Sequence, residues 1–266
     1  MPQSGVSRQN YFSGSRVAQP STLRVAESLA HWRISTYAIS HASAALALKK
    51  RYPRVGLWPL LIAVQLVELL WIIFSYLGIE RVRTTADKVH LDFLPYSHSV
   101  FTSVFLAGLA WGFGKAVRRT YVGTAIGLAI LSHIVLDFIQ HEPDIALLPL
   151  AWGPRFGLNL QAYPALDLIV ELVFCVGCWA YFGGSRGLLA GIVVLNLLDI
   201  PLMFPRSGIG ARVTEHPALL PTVILIQVVV SWLVVWWLGH RTIIPDDPPS
   251  QQQRSFSQRI SLILQA

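Results

Sequence analysis

Charge is what this sequence has least of. Of 266 residues only 13% are charged, against about a quarter in soluble domains, and just 14 are Asp or Glu. So large a deficit excludes an ordinary water-soluble globule. Cysteine is scarce too: Cys175 and Cys178 make up a lone CVGC inside an apolar run. No second pair or nearby ligand run supports a redox or metal motif, so the two are read as small packing residues. No internal repeat is visible, and nothing marks a second domain. Basic residues do outnumber acidic ones, for a formal net charge of +7. They are spread over short loops and tails, however, with no basic aromatic surface to follow a phosphate backbone, so nucleic acid is excluded as a partner. They fit better as topology signals and contacts to anionic lipid.

What the chain has in abundance is apolar sequence, 53% of it hydrophobic. Seven apolar segments are placed at 34–48, 57–79, 98–116, 121–140, 163–182, 188–204 and 218–238. Most approach the roughly 20 residues that cross a bilayer core. The first is short, and His41 and several Ser residues suit it to a re-entrant or partly buried helix. The fold class expected is an all-α, polytopic membrane bundle of six to seven segments over 34–239. A disordered basic tail at 1–33 carries no signal-peptide core. A tail at 240–266 opens on a Pro/Gln linker and ends in RSFSQRISLILQA, suited to a short surface helix. Lys49, Lys50, Arg51, Arg54, Lys115, Arg118, Arg119, Arg186 and Arg241 fall in alternate loops, which the positive-inside rule makes cytoplasmic. His98, Asp137, His141, Asp167, Glu171 and Asp199 then all lie toward the opposite face.

The stretch LSHIVLDFIQHEPD, 131–144, sets His133, Asp137 and His141 at four-residue steps. Residues four apart share a helix face and lie roughly 6 Å apart. One divalent ion can therefore take an imidazole nitrogen from His133 and a carboxylate oxygen from Asp137, a donor pair suited to Zn²⁺, Fe²⁺ or Mn²⁺. His141 lies about 12 Å from His133 by helix rise, out of reach of the same ion without a bend. It is left as an outer partner or substrate contact. An ionised Asp in a membrane segment is expensive alone, which favours a functional polar site over structural glue.

Further along, PYSHSVF marks a helix start, with Ser97 as the expected N-cap and His98 in the first turn. Free backbone N–H groups there suit an anionic oxygen, and Ser99 adds a hydroxyl for binding or capping. Glu68 is a lone carboxylate in the middle of a span, readable as a hydrogen-bonded structural group or as a ligand or base. Asp167 and Glu171 repel unless protonated or bridged by a cation. Asp199 and Asn196 can line the same cavity. Arg155 is a natural fork for carboxylate or phosphate. Gly108/Gly112, Gly123/Gly127 and Gly183/Gly187/Gly191 suit close helix packing.

These residues also carry a resemblance. SHASAALALKK, QLVELLWIIFSYLGIERVR, LDFLPYSHSVFTSVFLAGLAWG, ILSHIVLDFIQHEPDIALLPLAWGPRFGLNL and DLIVELVF together resemble the bacterial membrane-bound, predicted metal-dependent hydrolases, the group that includes the LexA-regulated inner-membrane member. The similarity runs from about residue 34 to 182 in the family's order. It implies an all-helical integral membrane protein of the bacterial inner membrane that binds a divalent metal. His41, His98, His133 and Asp137 match motif positions, and His141 and Asp144 match the HxPD extension. The chain departs from the family where many relatives carry Pro-Asp: here stand Val67 and Glu68, a carboxylate one methylene longer and no helix-breaking proline.

Three functions compete on this evidence. In the first, a hydrolase holds a metal, zinc ahead of manganese or iron, on His98, His133, Asp137, Glu68 and His41. Glu68 or Asp144 acts as base, while Ser99, His141 and Arg155 meet a lipid-like or anionic substrate at the non-cytoplasmic face. The second is a transporter using intramembrane carboxylates, although transport needs polar access from both faces. The third is a non-catalytic membrane scaffold.

Overall fold

The structure, a computed structural model, describes residues 38–84, 89–150, 152–203, 216 and 218–240. The two tails, His31 and the basic residues at 206, 212 and 241 lie outside the described residues. Eight α-helices dominate what is described: α1 Ala38–Arg51, α2 Leu57–Val64, α3 Leu66–Tyr76, α4 Val100–Ala116, α5 Thr120–Gln140, α6 Pro164–Phe182, α7 Arg186–Met203 and α8 Leu219–His240. Two small antiparallel pairs interrupt them, β1 Arg81–Thr84 with β2 Val89–Phe93, and β3 Ile145–Ala146 with β4 Arg155–Phe156.

Helix α1 sits at the centre. Its AISHASAAL run is buried at every position from Ala38 to Leu46, and α2, α5, α6, α7 and α8 all pack on it. Small Ala and Ser side chains let neighbours approach from every side. Its 14 described residues rise about 21 Å, against a bilayer core of about 30 Å.

Three helices, α5, α6 and α8, are long and apolar enough to cross a membrane. The pair α2 and α3 counts as a fourth if taken as one span, bent by 54° at Gln65. The sequence reading placed one continuous segment at 57–79; the structure breaks it. Gln65 adopts φ −110° and ψ 9°, its N–H turns back to Ile62 O at 3.2 Å, and its buried Nε2 donates to Ala38 O at 2.9 Å. The kink therefore needs no proline at 67. Helix α4 has only 17 residues, because His98 and Ser99 belong to the turn before it.

Outward surfaces remain apolar. Phe101, Val104, Phe105, Leu109 and Phe113 on α4 and Ile169, Val173 and Tyr181 on α6 are all exposed. Exposed apolar area on this scale marks a surface meant for something other than water, and helix length points to lipid. Of the glycine pairs expected to pack, Gly123 and Gly127 do: a Cβ on Gly123 would stand 2.7 Å from Ala110 O, and one on Gly127 3.0 Å from Ala107 O. Gly108 and Gly112 face open space instead, and Gly114 meets Gly123. Cys175 and Cys178 are buried free thiols, and Cys175 joins the apolar core.

Candidate metal centre

The α5 spacing delivers what it promised. His133 and Asp137, buried at 1% and 3% exposure, place Nε2 and Oδ2 3.2 Å apart. The buried start of α1 brings His41 Nε2 to 3.2 Å from Asp137 Oδ1. From the turn before α4, His98 Nε2 reaches 3.9 Å from Asp137 Oδ2. The kink at Gln65 puts Glu68 in the first turn of α3, where Oε2 lies 3.3 Å from His98 Nε2 and 3.8 Å from His133 Nε2. Ligands about 2.1 Å from one ion stand roughly 3 to 4 Å from each other, which is the range of the five separations just given. Among the described residues, His41–His133–Asp137 and Glu68–His98–His133 each converge closely enough for an ion.

The hydrogen bonding is more telling than the distances. The kink leaves Val64 O, the last carbonyl of α2, to accept from His133 Nδ1 at 2.7 Å. A carbonyl only accepts, so the proton sits on Nδ1 and a neutral His133 turns a bare Nε2 toward Asp137 Oδ2. Neither atom has a hydrogen-bond partner among the described residues. Two acceptors facing each other in a buried place is a costly arrangement, relieved by a cation between them. Because Nδ1 is engaged by Val64 O, both convergent groups would have to use the same His133 nitrogen, Nε2.

The remaining candidates form a rim. His141, the residue just past α5, pairs with Asp144 across 3.5 Å. Its ring centroid lies 6.4 Å from that of His98. Burial works against charge on that ring, but the carboxylate of Asp144, and behind it those of Asp137 and Glu68, outweigh burial and hold His141 up at about 9. Arg155, on β4, donates to Asp144 O at 3.4 Å, so it braces the turn after α5. Gly157 is pressed against the carbonyls of His141 and Glu142, closing the rim from the other side.

Two expectations change. Ser97 does not cap α4; Ser99 does, accepting from Thr102 N at 3.1 Å, and it is fully buried. His98 thus precedes the cap instead of lying in the first helical turn. Asp167, Glu171 and Asp199 form a group of their own. Glu171 feels the charges of the other two and leans on Ser40, while Asp199 Oδ1 accepts from Gln227 Nε2 at 2.8 Å.

One participant escaped sequence reading. Glu80, 1% exposed, takes Ser97 Oγ at 2.6 Å, and Ser97 Oγ lies 2.8 Å from His98 Nδ1. The available signal was the period-two alternation of RVRT and VHLDF, which marks a hairpin folding Glu80 back beside Ser97. No protein-family model, curated protein or solved structure matches the chain.

Proposed function

We propose that this protein is a membrane-bound, metal-dependent hydrolase whose site opens at one bilayer face. The observation that carries the reading is the pair of bare acceptors, His133 Nε2 and Asp137 Oδ2, 3.2 Å apart and buried. His41, His98, His133 and Asp137 supply three imidazole nitrogens and a carboxylate, a donor set for zinc, with manganese or iron as alternatives. A divalent cation held there supplies Lewis acidity and lowers the pKa of water to near neutrality. The resemblance of the sequence to membrane-bound metal-dependent hydrolases supports the same conclusion.

The chain's own groups then divide the work. The Glu68 side chain is 18% exposed against 4% for Asp137, making it the cage carboxylate most open to a substrate. It accepts the proton of the attacking water. His141, charged at neutral pH beside Asp144, donates a proton to the leaving group or holds an anionic oxygen. The rim carries exposed Tyr96, Leu148, Trp152, Leu158 and Tyr163, apolar and amphipathic side chains of the kind that settle at a lipid interface. They suit an amphiphile whose ester or phosphoester head reaches the cage while its tail stays in the bilayer.

We place the site on the non-cytoplasmic face of a bacterial inner membrane, in a bundle crossing six or seven times. Lys49, Lys50 and Arg51 end α1, Lys115 lies in the last turn of α4, and Arg186 opens α7. Each stands at the helix end away from the site, and Tyr52 against Tyr121 at 5.2 Å ties α1's basic end to the start of α5. The test is hydrolysis of chromogenic phosphoesters and carboxylic esters in mixed micelles. Glu68→Gln should lose at least about 100-fold in rate, the scale of a positioned base, while still binding zinc. Wild-type turnover that ignores Glu68→Gln, or that survives complete removal of metal, would overturn the assignment.

A further inference from the structure

We propose that Glu80 is a positioning residue: acting through the Ser97 hydroxyl, it holds a proton on His98 Nδ1 so that Nε2 is the nitrogen turned to the metal cage. The consequence for metal rests on the reading above; the Nδ1 proton itself does not.

Glu80 is the last residue before β1, and its main-chain N–H and that of Ile79 both turn back to Phe74 O. The β1–β2 hairpin pairs Arg81 with Phe93, returning the chain so that residues 96 and 97 pass directly over the Glu80 side chain. That carboxylate is buried. Oε1 accepts from Tyr96 N at 2.8 Å and Ser97 N at 2.9 Å, and Oε2 accepts from Ser97 Oγ at 2.6 Å. All three partners donate, two of them from the backbone, so both oxygens serve as acceptors. The 2.6 Å contact has the length of an O–H···O⁻ bond.

The rest follows from counting protons. An ionised carboxylate only accepts, so the one hydroxyl proton of Ser97 is committed to Glu80. Ser97 Oγ can then only accept from the ring 2.8 Å away, which puts a proton on His98 Nδ1. That leaves Nε2 as the nitrogen turned to the cage, where it donates to Glu68 Oε2 at 3.3 Å and lies 3.9 Å from Asp137 Oδ2, and where a metal ion would take the place of that proton. His133 holds its Nδ1 proton by another route, donating Nδ1–H to Val64 O. Two unrelated acceptors, a carbonyl freed by a helix kink and a serine backed by a carboxylate, thus turn two imidazoles to the cage by the same nitrogen. Outer partners of this kind orient metal-bound histidines and raise their basicity.

Glu80→Gln tests this with almost no change of shape. Its amide oxygen can still accept from Tyr96 N and Ser97 N, but its NH₂ would donate to Ser97 Oγ. The hydroxyl would then turn its proton to His98 Nδ1, leaving the ring only its proton on Nε2, pointing into the cage. The readout is nitrogen-15 NMR of labelled histidine in metal-free, detergent-solubilised protein, with the His98 signals identified by their loss in His98→Gln. The wild type should show a proton on His98 Nδ1, and Glu80→Gln should lose that proton and keep only the one on Nε2. Zinc affinity, measured against a competing chelator, should fall by about 10- to 100-fold in Glu80→Gln and also in Ser97→Ala. The second variant keeps both backbone bonds to Glu80 and removes the hydroxyl that joins Glu80 to His98, so a Glu80 that only braces the backbone predicts wild-type zinc binding there. A His98 Nδ1 proton retained in Glu80→Gln, or unchanged zinc affinity in Ser97→Ala, overturns the proposal. If the wild type binds no zinc at all, the metal reading fails and the nitrogen-15 measurement still decides the role of Glu80.

Discussion

Asp137 stands among three imidazoles, taking His41 on one oxygen and facing His133 and His98 with the other. Half of that arrangement was legible in the sequence. Four-residue spacing puts His133 and Asp137 on one helix face whatever the tertiary structure, and helix rise alone separates His141 from them. Glu68 and His98 were named as companions of that pair from residue type and the family resemblance; spacing alone could not supply them, because their meeting depends on a kink and a turn without local signatures. Glu80 went unread: the alternation of the two strands announces a hairpin, but only their pairing brings Glu80 to Ser97 and so to His98. At this scale the rim is the part most sensitive to pH. His141 rises from an ordinary value of about 6.5 to about 9 in the folded protein. The stability it contributes is therefore fully present below about pH 6.5 and lost as pH rises through 9. In chelator-treated protein, melting temperature should fall across that window, and the fall should shrink in Asp144→Asn, which removes the largest raising charge. Parallel melting curves for the two proteins would show that the His141–Asp144 pair is not what couples folding to pH.

At the scale of elements, apolar length was easy to read and its interruptions were not. The segment at 57–79 is hydrophobic apart from Pro59, Gln65, Glu68, Ser75 and Gly78, so periodicity offers no reason to divide it at Gln65. It divides because the Gln65 side chain finds Ala38 O in the central helix, a contact visible only once α1 is in place. Similarly, Ser97 and Ser99 are equally good caps by residue type; the choice falls to Ser99 because Glu80 takes up the Ser97 hydroxyl. The α4–α5 hairpin makes the sharper test of the packing. Gly123→Ala would set a Cβ 2.7 Å from Ala110 O and 3.0 Å from Gly114 Cα, both backbone atoms that cannot swing aside. It should cost about 1 to 3 kcal/mol, as overpacking typically does. Gly108→Ala, with nothing within 4 Å, should be neutral or slightly stabilising, since alanine suits a helix better than glycine. Thermal unfolding of the two variants in the same detergent checks the contrast; equal losses would mean that the helices meet along a different face.

As a whole, the molecule places its ionisable groups where lipid does not reach. Phe101, Phe113, Ile169 and Val173 face outward, while His41, His133, Asp137, Glu171 and Asp199 are buried. That inversion was already implied by the small charged fraction. What composition could not convey is that most of the buried ionisable residues fall into two groups: a histidine-rich cage on α1, α3, α5 and the turn before α4, and a carboxylate group on α6 and α7. Among the described residues, the histidine nitrogens and carboxylate oxygens close enough to hold an ion are those of the cage, in two groups that share His133, and so the proposed function turns on an ion there. The direct measurement is the metal content of detergent-purified protein, by elemental mass spectrometry, for the wild type beside a His133→Ala/Asp137→Ala double variant. The account predicts close to one divalent ion per chain in the wild type and essentially none in the variant. Equal and negligible metal in both proteins, with both folded, would contradict it.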